Sequence, residues 1–166
     1  MNKIRRQLSM YVPSGSAKEI EKVRKVVDPI QSNLIPAHIT LCREDELCEL
    51  SQIKDRLNKI EFEPLTLSFG KVEVFSGHGL LLNCVKGEDK FRLMREYLLG
   101  SKNIRNQTPH ITLAHPRNPK SIGNSLSNAA TLPEIIKITF PTIYLIEQEL
   151  DKPWCLLEQF ELVSQN

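Results

Sequence analysis

The hydrophobic positions of the chain follow two different periods. In one set of segments, apolar residues recur at steps of three and four, which is the spacing of a single helical face. The first such stripe consists of Ile20, Val23, Val27 and Ile30. It predicts a helix over residues 17 to about 27 that ends near Pro29, with Ser16 and Glu19 forming a capping box at its start.

Further stripes of the same kind predict three more helices. The longest stripe is made by Leu47, Leu50, Ile53, Leu57 and Ile60. A shorter stripe of Phe91, Met94 and Leu98 ends at Gly100, a residue type that favours the C-terminus of a helix. A weaker pattern predicts a helix from Lys120 to about Ala130. Such stripes are typical of helices that pack one apolar face against a common core.

Elsewhere the apolar residues alternate with polar ones or form short β-branched runs, which is typical of strands. The predicted strands cover residues 7–12, 36–43, 65–75, 80–85, 109–115, 135–147 and 154–162. The alternation changes parity near Gly70, which indicates a bulge in the third strand. Residues 76–79 read Ser-Gly-His-Gly and predict a turn that joins this strand to the next in a hairpin, with His78 as a turn residue.

Two of the predicted strands carry the same four residues. The sequence His-Ile-Thr-Leu occurs at 38–41 and again at 110–113, each time shortly after a proline, with the two histidines 72 positions apart. Because side chains alternate across a strand, each histidine shares a face with the threonine two positions later. Cys42 and Ala114 come next on that face, and their small side chains are expected to leave room for a ligand.

The order of elements predicts an α+β fold with two similar lobes. Each motif strand is preceded and followed by a helix, and the spacing of the motifs is close to half the chain. We therefore expect one bilobal domain, residues 1–166, in which the lobes contribute motif strands at about 36–43 and about 109–115.

Composition narrows the class of protein. The 166 residues are 40% hydrophobic and 25% charged, which is ordinary for a soluble globular protein, and no stretch approaches the roughly 20 apolar residues that span a bilayer. The net charge of +2 predicts no strong general affinity for polyanions. The first residues lead into a mixed strand, so no signal peptide is expected. Four scattered cysteines favour reduced thiols and a cytoplasmic protein.

The paired histidines suggest acid–base chemistry at phosphorus. A neutral imidazole accepts a proton, whereas a protonated one donates, so His38 and His110 could serve the attacking and leaving oxygens of a phosphodiester. The hydroxyls of Thr40 and Thr112 would face the non-bridging oxygens and stabilise the charge that develops there. This chemistry requires no metal. The sequence also has no cluster of carboxylates beside either motif that would hold a magnesium ion.

Both motifs, His38-Ile39-Thr40-Leu41 and His110-Ile111-Thr112-Leu113, resemble the paired signature of the two-histidine (2H) phosphoesterase superfamily, which includes the bacterial 2′-5′ RNA ligase and cyclic phosphodiesterase proteins. The extension at 114–118, Ala-His-Pro-Arg-Asn, is similar to a 2′-5′ RNA ligase-like branch. The resemblance covers the whole chain. It implies two lobes of antiparallel sheet with helices packed outside and a central cleft, and no obligatory metal or other cofactor.

For individual residues, the resemblance implies catalytic roles for His38 and His110 and phosphate contacts by Thr40 and Thr112. It implies a substrate with a 2′,3′-cyclic, 1″,2″-cyclic or 2′-5′ phosphodiester bond, and does not specify which. Hydrolysis or opening of a cyclic phosphate is expected rather than ligation. We expect a monomer that acts on RNA ends or small cyclic nucleotides, with no membrane association.

Other residues near the motifs have both a functional and a structural interpretation. Arg43, Arg117 and His115 are candidate substrate contacts, although the sequence favours surface charge for the two arginines and a capping or supporting role for His115. Tyr11, Phe75 and Tyr144 could stack on a nucleobase, although aromatic residues on strands more often belong to the core.

Three functions remain open from the sequence. The first is a metal-independent phosphodiesterase, and the alternative is a non-catalytic RNA- or nucleotide-binding module that uses the same cleft. Hydrolysis of acyl or lipid esters is a weaker hypothesis because the sequence has no Gly-x-Ser-x-Gly segment, which would carry a serine nucleophile. Two titrating imidazoles favour the enzyme, since binding alone does not require them. The sequence does not indicate which histidine is the base, because pKa values depend on the surroundings.

Overall fold

The computed structural model describes residues 3–163. Within them the chain forms eight strands: β1 (Ile4–Tyr11), β2 (His38–Cys42), β3 (Leu65–Phe75), β4 (Gly79–Lys86), β5 (His110–Ala114), β6 (Ile136–Phe140), β7 (Thr142–Glu149) and β8 (Cys155–Glu161). The helices of the same region are α1 (Ser14–Val27), α2 (Pro29–Leu34), α3 (Leu50–Asn58), α4 (Glu88–Leu99) and α5 (Leu126–Ala129), with a 3-10 turn at Glu44–Glu46.

The strands form two four-stranded antiparallel sheets. The strand order is β2-β1-β7-β8 in the first and β5-β4-β3-β6 in the second. Each motif strand is therefore the edge strand of its sheet, and these two edge strands contact one another. The predicted α+β bilobal fold is confirmed, and its two motif strands are neighbours although 72 positions separate their histidines.

The helices cross between the lobes. Helix α1 follows β1 of the first sheet and packs against β5 of the second, while α4 follows β4 of the second sheet and packs against β2 of the first. Their buried faces carry apolar residues at helical spacing, including Ile20 and Val27 on α1 and Phe91 and Leu98 on α4. Each lobe thus supports the motif strand of the other through a helix.

One predicted strand is wrong. The segment 135–147 was expected to be a single strand, but β6 ends at Phe140 and β7 begins at Thr142. The two strands belong to different sheets, β6 beside β3 and β7 between β1 and β8. Pro141 separates them, and proline has no backbone N–H to donate to a sheet.

The four predicted helical segments each contain a helix, but several boundaries are wrong and α2 was not predicted. Helix α1 begins at Ser14 with Pro13 at its N-cap and no side-chain cap, so the expected capping box of Ser16 and Glu19 is absent. Pro29 ends α1 as predicted and also begins α2, because proline suits the first turn of a helix.

Further along, the helix expected from Leu47 begins only at Leu50, and the predicted segment 120–130 is helical only over Leu126–Ala129. The bulge near Gly70 is confirmed by a register shift between Phe69 and Val72. No helix among residues 3–163 combines the length and the hydrophobicity needed to cross a bilayer. The four cysteines are free thiols.

Candidate active site

Both motif strands have the predicted alternation. His38 and Thr40 are half-buried, as are His110 and Thr112, whereas the isoleucine and leucine of each motif are fully buried. The apolar side of each strand therefore anchors it to the core, and the polar side is left at the surface where the two sheets meet. This arrangement follows from the period of two along a strand.

The two imidazoles are held in the same way. Nδ1 of His38 lies 2.8 Å from the carbonyl of Pro36, and Nδ1 of His110 lies 3.2 Å from the carbonyl of Thr108. A carbonyl oxygen only accepts hydrogen bonds, so Nδ1 carries a proton in both rings. In the neutral form, Nε2 is then the unprotonated nitrogen of each ring, which is the atom that can accept a proton from a substrate or water.

Burial and neighbouring charges both act on the His38 ring. Burial lowers the pKa of His38 to about 4, although its hydrogen bond to the Pro36 carbonyl acts in the opposite direction. The charges of Arg24, His110 and His115 also contribute to the lowering. His110 and His115 are therefore close enough to interact with His38, and His38 is uncharged in the free protein at neutral pH.

The strand beside His38 presents aromatic rings. Tyr11 lies opposite His38 in the β1–β2 register, and the two ring centroids are 6.4 Å apart in an edge-on arrangement. The Tyr144 ring lies 4.7 Å from that of Tyr11. Burial raises the pKa of Tyr11 to about 12, with further contributions from Tyr144 and Cys155, so its hydroxyl stays protonated.

The strand beside His110 is polar instead. Asn83 lies opposite His110 in the β4–β5 register, and its Nδ2 donates to Glu73 at 2.7 Å. Phe75, the third aromatic candidate, lies near the β3–β4 turn opposite Gly79, at the far end of that hairpin from Asn83. The two histidines thus have different neighbours. His38 lies beside an aromatic ring, and His110 lies opposite an amide that is bonded to a carboxylate.

The backbone carbonyls of both motif threonines accept hydrogen bonds from side chains. Nε2 of Gln107 lies 2.8 Å from the carbonyl of Thr40, and Nε of Arg24 lies 3.3 Å from that of Thr112. Within residues 3–163, neither threonine hydroxyl has a protein hydrogen-bond partner. Both hydroxyls are therefore available to a ligand on the histidine face.

Two carboxylates that the sequence analysis did not identify, the buried Asp28 and the half-buried Glu21, bond to the backbone next to the motif strands. Asp28, which caps α2, accepts from the backbone N–H of His115 at 2.8 Å and from Nδ2 of Asn118 at 2.9 Å. Glu21 accepts from the backbone N–H of Ala37 at 2.9 Å and pairs with the buried Arg24. An acidic residue on a helix looks like surface charge in a sequence, so neither contact had a local signal.

The three candidate substrate contacts have different positions. His115 is half-buried, and burial, with the charge of Arg117, lowers its pKa. Its Nδ1 accepts from the backbone N–H of Arg117 at 3.1 Å, which leaves Nε2 as the donor of the neutral ring. Arg117 is exposed beside it. Arg43 is also exposed, but it lies beyond the end of β2, where its backbone N–H donates to Glu46.

The expectation for Cys42 and Ala114 is wrong. Both side chains are buried in the hydrophobic core, so they do not lie on the exposed face with the threonines. The cause is local, since the partner strands shift register between Leu8 and Ser9 and between Leu80 and Leu81, next to these positions. Burial raises the pKa of the Cys42 thiol to about 12, so it is not a reactive thiolate.

Other features of the described residues lie away from the motifs. No group of three histidine, cysteine, aspartate or glutamate side chains among residues 3–163 has the arrangement of a metal site. Two surface hollows of about 310 and 400 Å³ lie elsewhere. The first is lined by Lys59, Glu61, Phe62 and Tyr97, and the second by Ile4, Arg6, Glu44, Leu47 and Leu50. His78 serves the fold, because its Nε2 donates to the carbonyl of Asn118.

Comparison with known proteins agrees with this architecture. E. coli LigT, in a crystal structure with NADP⁺, is similar with a TM-score of 0.64 and 14% identity over 99% of this chain and 100% of that one. Its complex with 3′-AMP has a TM-score of 0.56 and 12% identity, with the same coverage of both chains. A crystal structure described as a phosphoesterase has a TM-score of 0.57 and 12% identity over 98% and 100%. At these identities the likeness shows the fold.

No curated protein sequence matches the chain. A family model described as the 2′-5′ RNA ligase superfamily matches residues 12–151, a span that includes both histidine motifs and the turns that hold them. With the paired motif strands and the two-sheet fold, this match shows that the chain belongs to the 2′-5′ RNA ligase superfamily, within the two-histidine phosphoesterases.

Proposed function

We propose that this protein is a metal-independent phosphodiesterase that acts on RNA ends or small nucleotides with a 2′,3′-cyclic or 2′-5′ phosphodiester bond. The observation that carries the proposal is the equivalent setting of His38 and His110 on two edge strands that contact each other. Two imidazoles so placed perform both proton transfers of a phosphodiester displacement. The E. coli LigT structures with 3′-AMP and with phosphate support a nucleotide-sized ligand.

We assign the base role to His38, because it is uncharged in the free protein. Nε2 of His38 takes the proton of a water molecule as its oxygen forms a bond to phosphorus. The bond from phosphorus to the leaving ribose oxygen breaks, and protonated His110 gives its proton to that oxygen. The hydroxyls of Thr40 and Thr112 donate to the non-bridging oxygens, whose negative charge increases in the transition state.

The surrounding residues suggest how the nucleotide is oriented. His115, whose Nε2 carries the proton of the neutral ring, would donate to the phosphate or ribose. Arg117 would add positive charge beside His115. Arg43 follows the C-terminal end of β2, and its long side chain would bind the phosphate from there. The rings of Tyr11 and Tyr144 form the wall on the His38 side, where a nucleobase would stack.

The experiment is turnover of a nucleoside 2′,3′-cyclic phosphate and of a 2′-5′-linked dinucleotide in the presence of EDTA. We expect hydrolysis of at least one of them at a rate that EDTA leaves unchanged. Binding of both without turnover would contradict the enzyme and favour a non-catalytic nucleotide-binding module. Loss of turnover with EDTA, restored by added metal, would contradict the proton-transfer mechanism.

A further inference from the structure

Two buried arginines occupy equivalent places in the two halves of the chain. Arg24 on α1 and Arg95 on α4 are each 1% exposed, although arginine is rarely fully buried without a partner. Each belongs to the helix that crosses to the opposite lobe. Neither is assigned a part in the two-histidine chemistry proposed above.

Arg24 connects the segment before the first motif to the second motif strand through one guanidinium. Its Nη2 donates to the carbonyl of Ile35 at 2.8 Å, and its Nε donates to the carbonyl of Thr112 at 3.3 Å. Its Nη1 pairs at 2.6 Å with Glu21, whose carboxylate also accepts from the N–H of Ala37, the residue before His38. The entry to the first motif and the middle of the second are therefore held by a single rigid group.

Arg95 repeats this arrangement from the other lobe. Its Nη1 donates to the carbonyl of Leu41 in β2 at 2.6 Å, and Glu46 accepts from Nη1 and Nη2 at 3.0 and 2.8 Å. Glu46 lies in the turn that follows β2 and also accepts from the N–H of Arg43. Arg95 thus holds the exit of the first motif strand, as Arg24 holds its entry.

We propose that Arg24 and Arg95 are positioning residues for the two-histidine reaction, which set the separation of His38 and His110 by bonding each crossing helix to the motif strand of the opposite lobe. The proposal rests on the proposed function. The planar guanidinium is essential to it, because its donors point in fixed directions and one group bonds several acceptors at once. A lysine keeps the charge but offers a single flexible ammonium in place of that fixed set.

Arg24 has an additional effect that Arg95 lacks. The titratable and charged groups that face His38 are Arg24 from α1, His110 and His115 from β5 and the turn after it, and Tyr11 from β1. Of the two arginines, only Arg24 contributes to the lowered pKa of His38. Replacing Arg24 by a neutral residue should raise the pKa of His38, whereas the equivalent change at Arg95 should not.

The experiment compares Arg24→Lys and Arg95→Lys with a control, Arg56→Lys. Arg56 also donates from a helix to a carbonyl of another helix, that of Leu98 at 2.9 Å, but it contacts neither motif. All three variants should unfold at lower temperature. Arg24→Lys and Arg95→Lys should each lose about 10²-fold in kcat with little change in KM, because small misplacements of reacting groups slow the reaction strongly. Arg56→Lys should keep the wild-type kcat.

A second measurement does not depend on turnover. Titration of the His38 ring followed by NMR should show a raised pKa in Arg24→Met and an unchanged one in Arg95→Met. Folded lysine variants of Arg24 and Arg95 with wild-type kcat would overturn the proposal while the proposed function stands. If the wild type has no turnover, the proposed function fails, and an unchanged His38 titration in Arg24→Met would overturn the effect of Arg24 separately.

Discussion

His38 and His110 are held by the same local hydrogen bond. In each ring Nδ1 donates to the carbonyl two residues earlier in the chain, at 2.8 and 3.2 Å. Because that carbonyl belongs to a residue only two positions away, the orientation of each ring is set within three residues. Nε2 is therefore the atom of both rings that the proposed acid–base mechanism uses.

The first prediction concerns these two rings. His38→Ala and His110→Ala should each lower kcat by at least about 10²-fold, the contribution expected of a general acid or base. Steady-state turnover of the cyclic nucleotide measures this, and His78→Gln is the control because its side chain bonds only to the turn at Asn118. Turnover that survives either motif substitution would rule out the assignment.

A second prediction is the pH dependence of kcat/KM. Activity should fall on the acidic side as His38, whose pKa is lowered to about 4 in the free protein, gains a proton. It should fall on the alkaline side as the imidazole that acts as the acid loses its proton. A bell-shaped profile is therefore expected for the free enzyme. A flat profile from pH 5 to pH 9 would count against the mechanism.

The lowered pKa of His38 also predicts that the stability of the fold depends on pH. The pKa of His38 is lower in the folded protein than its ordinary value of 6.5, so the unfolded chain binds more protons between these values. The contribution of His38 to the free energy of unfolding is fully present above about pH 6.5 and is lost as the pH falls toward 4. Between pH 7.5 and pH 5.0 the wild type should lose up to about 2 kcal/mol more unfolding free energy than His38→Gln.

Urea unfolding of both proteins at the two pH values measures this difference. The carboxylates of Asp45 and Glu46, whose pKa values are lowered, also destabilise the fold on protonation, but they do so equally in both proteins and cancel in the comparison. An equal loss of stability in wild type and variant would show that His38 titrates normally in the folded state.

The neighbouring rings of Tyr11 and Tyr144 give a fourth prediction. Tyr144→Leu should raise KM for a nucleoside 2′,3′-cyclic phosphate by roughly ten-fold, because stacking of a base on an aromatic ring contributes about 1–3 kcal/mol. It should leave KM unchanged for ribose 2′,3′-cyclic phosphate, which has no base. Tyr144→Phe, which retains the ring, is the matched control. An equal rise in KM for both substrates would indicate disturbed packing instead of a lost stacking surface.

The sequence predicts the motif strands well because their information is local. The alternation of His-Ile-Thr-Leu determines which side is buried, and the position of Gly70 in a strand indicates the bulge. The assignment of β6 and β7 to different sheets depends on which distant strands pair, and no local pattern encodes that choice. Cys42 is buried in the core because the neighbouring strand shifts register, which the sequence of β2 does not show.

The buried arginines illustrate a signal that is present but easily misjudged. Arg24 follows Ile20 by one turn, beside Val23 and Val27, so it lies within the apolar stripe of α1. Arg95 has the same position relative to Phe91 and Leu98 on α4. A charged residue inside an apolar stripe indicates a buried partner, but its acceptors are backbone carbonyls of a distant strand, which no residue type identifies.

The most direct test of the central claim is a crystal structure with a bound nucleoside 3′-monophosphate or phosphate. The account predicts one phosphorus between the two motif strands, with Nε2 of His38 and Nε2 of His110 each about 3 Å from a different phosphate oxygen and with the hydroxyls of Thr40 and Thr112 on the remaining oxygens. A phosphate bound to only one of the two imidazoles, or at a site away from both, would contradict it.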